Sequence, residues 1–369
     1  MRKSSLRMAV LVAAMIVMLV LPRAGGTLVT NAQEPALDKE LNVYNWADYI
    51  DEDVLKEYEA TYHVKINYDN FASNEELLTK LQAGASGYDV IFPSDYMVAQ
   101  MIDLKLLAKI DKKALPNLAN IDPYNLNPWY DPDNQYCVPY MWGVTGIGYL
   151  ASLEKAPTGW GALFDPEQAR YYSEHGGINI LDDEREVFSA LLKYLGYSVN
   201  DTDPKHLAQA RDTIVKVLPL FHSFNSTDYQ TTLLIPKEVS ISHAWIGDVM
   251  KANMSTATKD NPNGDWKFIV PKEGAIRFQD NMCITATSKR LATAEHFINF
   301  LMDAKNAARI SNTTGYPSAN KAAREFIKPE ILNVIPPAEV LEKLEWIRPL
   351  DDDTSKLYDQ TWTEIRATQ

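Results

Sequence analysis

Aromatic rings and carboxylates recur together at the ends of strand-like runs in this sequence. "LNVYNWADYI" (Leu41–Ile50) carries Trp46, Asp48 and Tyr49 where a strand-like run stops. Ser94 and Tyr96 follow "YDVIFP"; Asp182, Asp183 and Glu186 follow "GINIL"; Trp245 and Asp248 follow "VSISHA"; Phe278 and Asp280 lie at the start of "NMCITAT". Such a corner has three readings: core packing, a catalytic corner, or a cage for an organic cation. At any single position packing or capping is the simpler role, since Trp and Tyr are mostly core and Asp caps helices. Asp182 in particular reads as a helix cap. Five such clusters in one chain are harder to explain that way, and the ends of strands are where open α/β sheets bind ligands.

Rings and acids together solve one problem, the holding of an alkylammonium away from water. Methylenes pack on ring faces, and each ammonium takes charge-assisted hydrogen bonds and cation–π contacts. A desolvated cation–π contact contributes about 2 kcal/mol and a hydrogen bond to a charged group about 1.5–3 kcal/mol. Two or three ammonium groups so held reach the roughly 8 kcal/mol of micromolar binding. A neutral sugar needs no such density of acids, and an amino acid needs an arginine for its carboxylate. Arg185 and Arg277 are the exceptions in surroundings otherwise poor in basic residues.

The motifs of enzymes are missing. There is no HExxH, GxSxG, P-loop or CxxC pair. The six histidines are scattered without metal-ligand spacing, and no cofactor is implied. "GVTGIG" (Gly143–Gly148) has GxxGxG spacing with no helix plainly following, unlike a dinucleotide loop. "DPDNQ" at Asp131 lacks the glycine and the terminal glutamate of a calcium loop.

Behind the clusters stand the elements that must position them. Leu41–Tyr44 and "VKINYDNF" (Val64–Phe71) alternate as strands, and Asp51–Tyr62 has helical spacing with Val54, Leu55 and Tyr58 on one face. "SNEELLTKLQAG" sets Ser73 and Glu76 in capping-box register and stops at Gly84. "YDVIFPS" (Tyr88–Ser94) reads as a strand buried on both faces of a parallel sheet. "CVPYMWGVTGIGYL" (Cys137–Leu150) reads as a long strand leaving this α/β region. A second region follows, with "GINILDD", helices from Val187 and Pro204, and "VSISHAW"; "QDNMCITAT" (Gln279–Thr287) is a further strand, before helices from Leu291 and Asn306. The order predicts an α/β fold of two lobes joined by hinge strands.

At 369 residues the chain is long for a single core. Arg2, Lys3 and Arg7 precede an apolar run from Ala9 to Leu21, and Thr30 and Ala32 suit a cleavage site, so residues 1–32 read as a secretory signal peptide. Removing them takes away four basic residues and no acidic ones, which moves the net charge from −13 to −17. A strongly acidic exported protein excludes nucleic acid and anionic lipid as partners and favours a cationic ligand, although acidity for solubility alone is the plainer reading. Cys137 and Cys283 read as buried free thiols in apolar, strand-like contexts, with a bridge left open.

The segments "YNWADYI", "SNEELLTKLQAG", "YDVIFPSDY", "DPDNQYCVPYMWGVTGIGY", "LDDEREVF", "AWIGDV", "PKEGA" and "TGYPSANKAA" resemble, in order, the periplasmic polyamine (spermidine/putrescine)-binding proteins of ABC importers. The resemblance runs from about residue 41 to the C-terminus. It implies a two-lobed periplasmic-binding-protein fold that closes like a flytrap, each lobe a mostly parallel sheet flanked by helices, and a monomer that delivers polyamine to an inner-membrane permease without chemistry on it. By that resemblance Trp46 and Tyr49 form part of an aromatic box with Asp48 near one amine. Ser94 and Tyr96 match the family's serine and following ring, Asp183 and Glu186 the acids at an amine end, Trp245 a wall, Asp280 the central carboxylate, and Tyr316 a further ring. Phe278 and Ile347 stand where spermidine binders carry Trp and Gln, and Phe278 with Asp248 looks like a putrescine binder. The number of acids nonetheless leans toward spermidine. The implied lobes are 38–146 plus 279–323 and 147–278 plus 324–369. A sensor subunit on the same fold, and a carrier for another organic cation or an amino acid, are the alternatives.

Overall fold

The computed structural model describes residues 36–84, 87–332, 340 and 342–368; the signal-peptide expectation for 1–32 lies outside them. From Leu37 onward the chain forms one compact unit. Ten strands run as β1 (Glu40–Trp46), β2 (Lys65–Phe71), β3 (Val90–Ile91), β4 (Cys137–Leu150), β5 (Ile178–Ile180), β6 (Ser223–Phe224), β7 (Ile241–Trp245), β8 (Trp266–Ile269), β9 (Ala275–Ile284) and β10 (Leu344–Glu345). Their path is β2-β1-β3-β9-β4-β7-β5-β6, with β8 on β4 and β10 on β9. Parallel pairs (β1 with β2 and β3; β5 with β6 and β7) lie at both ends, and β9 and β4 join them through antiparallel pairing. Helices pack against both halves, so the fold is α/β and two-lobed.

Local chemistry sets the ends of the elements. Asp51 caps the helix Glu52–Tyr62 by accepting from the backbone N–H groups of Asp53 and Val54, and Val54, Leu55 and Tyr58 are its buried face. Ser73 accepts from Glu76 N–H at 3.1 Å at the start of the helix Asn74–Gln82, and the Glu76 carboxylate answers on Ala72 N–H at 2.8 Å. Three expectations are corrected. The strand expected over Tyr88–Ser94 is only Val90–Ile91, parallel to β1 but antiparallel to β9; Pro93 has no N–H with which to extend the ladder. The cap expected at Asp182 is Asp183, which accepts from Glu186 N–H at 3.1 Å and starts the helix Glu184–Tyr194, while Asp182 pairs with Arg366 at 3.4 Å. Cys137 and Cys283 are not free thiols but a disulfide. They face each other in the antiparallel β4–β9 register with Cα atoms 4.4 Å apart, within bridging range.

Each half has its own apolar core. Leu41, Val43, Val54, Tyr58, Val90, Phe297 and Ile298 pack in one, and Ile178, Ile180, Val187, Phe188, Leu191, Ile214 and Ile241 in the other. The ends of β1 and β7 meet between them: the rings of Trp46 and Trp245 lie 6.0 Å apart at 69°. No helix among the described residues is long and apolar enough to cross a membrane.

Candidate functional site

Where the two halves meet there is a cavity. Trp46, Tyr49, Ser94, Tyr96, Asp183, Glu186, Trp245, Asp248, Phe278, Asp280 and Tyr316 all line it. Asp48 does not. Its backbone is left-handed (φ 53°), and its carboxylate turns to Gln230 Nε2 at 2.7 Å and Lys251 Nζ at 3.3 Å on the opposite half.

Asp280 and Asp248 are two of the buried acids on the cavity lining. Asp280, on β9, accepts from the Tyr49 hydroxyl at 2.7 Å and the Ser94 hydroxyl at 2.6 Å. Ser94 stands at the N-cap position of the helix Asp95–Asp103 but makes no side-chain cap bond. Asn74 fixes it instead, accepting from Ser94 N–H at 3.0 Å and donating to its hydroxyl at 3.1 Å. Asp248 lies in the first turn of the helix Ile246–Thr256, where the helix dipole favours an anion. The hydroxyls of Tyr229 and Tyr316 lie beside it and favour its ionised form. Burial pushes both carboxyls up to about 6; the Ser94 and Tyr49 bonds oppose this at Asp280, and Tyr229, Lys251 and Tyr316 oppose it at Asp248.

Glu186 and Asp183 are further buried acids of the lining, and the Asp280 charge acts on Glu186. Trp245 Nε1 donates to Glu186 at 2.8 Å, and burial pushes this carboxyl up to about 7 against that bond. Asp183 is raised by burial and by its neighbours Glu75 and Glu186. A fixed cation stands here too. The buried Arg185 guanidinium sits 5.0 Å from the centre of the Tyr96 ring and donates to the Arg348 carbonyl at 2.9 Å. Tyr96 in turn donates to Glu75 at 2.8 Å.

Aromatic rings line the same cavity. Tyr49 meets Tyr316 edge-on at 4.8 Å and Tyr140 at 5.6 Å. Trp46 is held by its Nε1 donating to the Phe92 carbonyl at 2.9 Å and by the Phe71 ring at 4.6 Å. Gly247 lets Tyr316 close onto the helix carrying Asp248, because a Cβ there would lie 2.2 Å from the Tyr316 ring. Gly143 does the same for Phe278, whose ring would be 2.7 Å from an added Cβ. Among the described residues no group of side chains could hold a metal ion.

Sequence reasoning missed Gln230 and Asn74 and gave Arg185 no role. Asn74 sits in the quoted "SNEE" beside the capping serine, so its place could have been suspected. Nothing in the pattern around Gln230 marks it.

A family model described as bacterial extracellular solute-binding protein matches residues 53–333. The chain belongs to that family. It is 35% identical over 351 residues to the putrescine/cadaverine-binding protein of Pseudomonas aeruginosa, covering 92% of this chain and 97% of the relative. It is 34% identical over 333 residues to the spermidine/putrescine-binding periplasmic protein of Escherichia coli, covering 89% and 91%. Among solved structures it is similar to the spermidine/putrescine ABC transporter substrate-binding protein PotD from Streptococcus pneumoniae, with a TM-score of 0.70, 30% identity, and coverage of 90% of this chain and 99% of that one. The cavity described above lies where the halves of this chain meet.

Proposed function

We propose that this solute-binding protein captures a protonated polyamine, spermidine or putrescine, and delivers it unchanged to an ABC permease from the periplasm. One observation carries the reading: a single aromatic-walled cavity is lined by the buried carboxylates Asp183, Glu186, Asp248 and Asp280. A linear amine with several ammonium groups matches several acids set among ring faces. The names of the relatives point to the same ligand class. Trp46, Tyr49, Ser94, Tyr96, Phe278 and Tyr316 supply rings and hydroxyls, and Trp245 orients Glu186. Asp48 works from outside the cavity. We assign 38–146 plus 279–323 to one lobe and 147–278 plus 324–369 to the other, with the ligand between them and the protein acting as a monomer.

The experiment is calorimetric titration of the mature protein, unfolded and refolded to remove co-purified ligand, with spermidine, putrescine and arginine. Micromolar or tighter binding of a polyamine, with arginine silent, is expected, and the two constants rank the ligands. No heat from either polyamine in a folded protein refutes the reading. A reaction product after incubation with spermidine refutes the carrier role.

A further inference from the structure

We propose that Gln230 is a specificity-determining contact of the site, its Oε1 accepting a hydrogen bond from an ammonium N–H of the bound polyamine, and that Asp48 is its positioning residue. The assignment rests on the polyamine reading above. Gln230 lines the cavity and is only 2% exposed. Its Nε2 donates to Asp48 at 2.7 Å. A carboxylate only accepts, so this bond fixes which end of the amide is which: the NH₂ group faces Asp48 and the carbonyl oxygen faces away. Lys251 Nζ lies 3.3 Å from the same Asp48 oxygen.

The freed end of the amide is the decisive atom. Gln230 Oε1 is buried and has no hydrogen-bond partner among the described residues. Buried polar atoms are nearly always paired, so an orphan acceptor on the wall of a binding cavity needs a donor from elsewhere. An ammonium group brings donors and no acceptor. The backbone supports the same placement. Gln230 opens an unusually wide turn, with Ile235 N–H donating to the Gln230 carbonyl five residues back at 3.0 Å; insertions of this kind are found mostly at functional sites. The preceding Tyr229 accepts at its hydroxyl from Trp245 N–H at 3.1 Å. Consecutive residues at this turn therefore hold one lining residue, Trp245, and form the lining itself. Gln230 adds an acceptor without adding charge, unlike the acids around it, so it rewards the correct position of an N–H more than the presence of a cation.

The test is a crystal structure of the mature protein with putrescine, together with titration of the wild type, Gln230→Met, Asp48→Ala and the double variant. A ligand nitrogen within about 3.2 Å of Gln230 Oε1 is expected. Gln230→Met should weaken binding at least tenfold with the Tm of the free protein essentially unchanged. Asp48→Ala should also weaken it, and the double variant should bind no worse than Gln230→Met, because both changes remove one contact. An Oε1 bonded only to protein or water, an unchanged Kd for Gln230→Met, or additive losses would each overturn the assignment while leaving the polyamine reading standing. A wild type that binds no polyamine removes both.

Discussion

Lowering the pH should loosen this site steeply, over a range where the ligand does not titrate. Amines of the lysine type ionise near 10, so a polyamine keeps its terminal charges from pH 7.5 to 5. The carboxyls do not. Burial holds Asp248 and Asp280 up at about 6 in the free protein, whereas an ammonium beside each favours the ionised form and lowers it on binding. Each aspartate is almost fully ionised at pH 7.5 and about one-tenth ionised at pH 5, so each weakens binding about tenfold over that interval, and the pair about a hundredfold. Glu186, held up at about 7, steepens the fall, so a hundredfold is the smaller expectation. The sign follows from linkage: the free protein binds more protons than the complex, and affinity rises with pH until these groups are ionised in both. Calorimetric titration at pH 7.5, 6 and 5, in two buffers of different ionisation enthalpy, measures the constant and counts protons. Between one and two protons should leave on binding at pH 6. A constant that changes less than threefold, with no proton released and the protein still folded at pH 5, would refute the reasoning.

Three further outcomes follow from particular contacts. Gly247→Ala should weaken polyamine binding about five- to a hundredfold, because its Cβ would meet the Tyr316 ring and such overpacking costs roughly 1–3 kcal/mol in the closed form; titration checks it, and an unchanged constant would mean that the ring yields freely. Replacing Cys137 and Cys283 together by Ala opens a loop of 146 residues, which loop entropy values at about 5 kcal/mol. For a unit of this size that is about 7 °C in Tm by calorimetry, with polyamine affinity within threefold. His243 is fully buried, with neither ring nitrogen paired among the described residues, and burial holds it down at about 3. It therefore costs stability only as pH falls from about 6.5 toward 3, where the unfolded chain takes a proton that the folded one refuses. His243→Leu should lose about 3 kcal/mol less than the wild type between pH 7 and pH 4 in denaturant unfolding.

The legible part of the fold was what local pattern dictates. Val54, Leu55 and Tyr58 announced the buried face of their helix, and Ser73 with Glu76 its successor's start, because periodicity and capping are properties of adjacent residues. Pairing across long separations was not legible. Cys137 and Cys283 are 146 residues apart, and only the β4–β9 register, which no local signal encodes, makes them neighbours. Two consecutive aspartates hid the true cap, since Asp182 and Asp183 are chemically identical and differ only in backbone geometry. In the site, the acids and rings were visible because their types are unusual in such numbers. Gln230 was not, because an amide has no compositional signature and its role depends on a single hydrogen bond to Asp48 on the other half.

Rings alone would make a poor cage, and the choice of ring explains how so many buried acids are kept usable. Tyr49 donates its hydroxyl to Asp280, Trp245 donates its indole N–H to Glu186, and the hydroxyls of Tyr229 and Tyr316 favour the ionised form of Asp248 beside them. Phenylalanine would offer the same face without the donor. Burial strengthens an ammonium–carboxylate attraction by excluding water, yet the same burial favours the neutral acid that cannot make it. Hydroxyl neighbours, with Lys251 at Asp248, oppose that drift where burial holds Asp248 and Asp280 up at about 6, whereas Asp95, which relies mainly on the backbone N–H groups of Gln279 and Tyr96 and also feels the Asp280 charge, is pushed up to about 8. On the polyamine reading proposed above, the aromatic residues of this cavity therefore do two jobs with one side chain: the ring face takes the methylenes, and the polar edge favours the ionised acid for the amine.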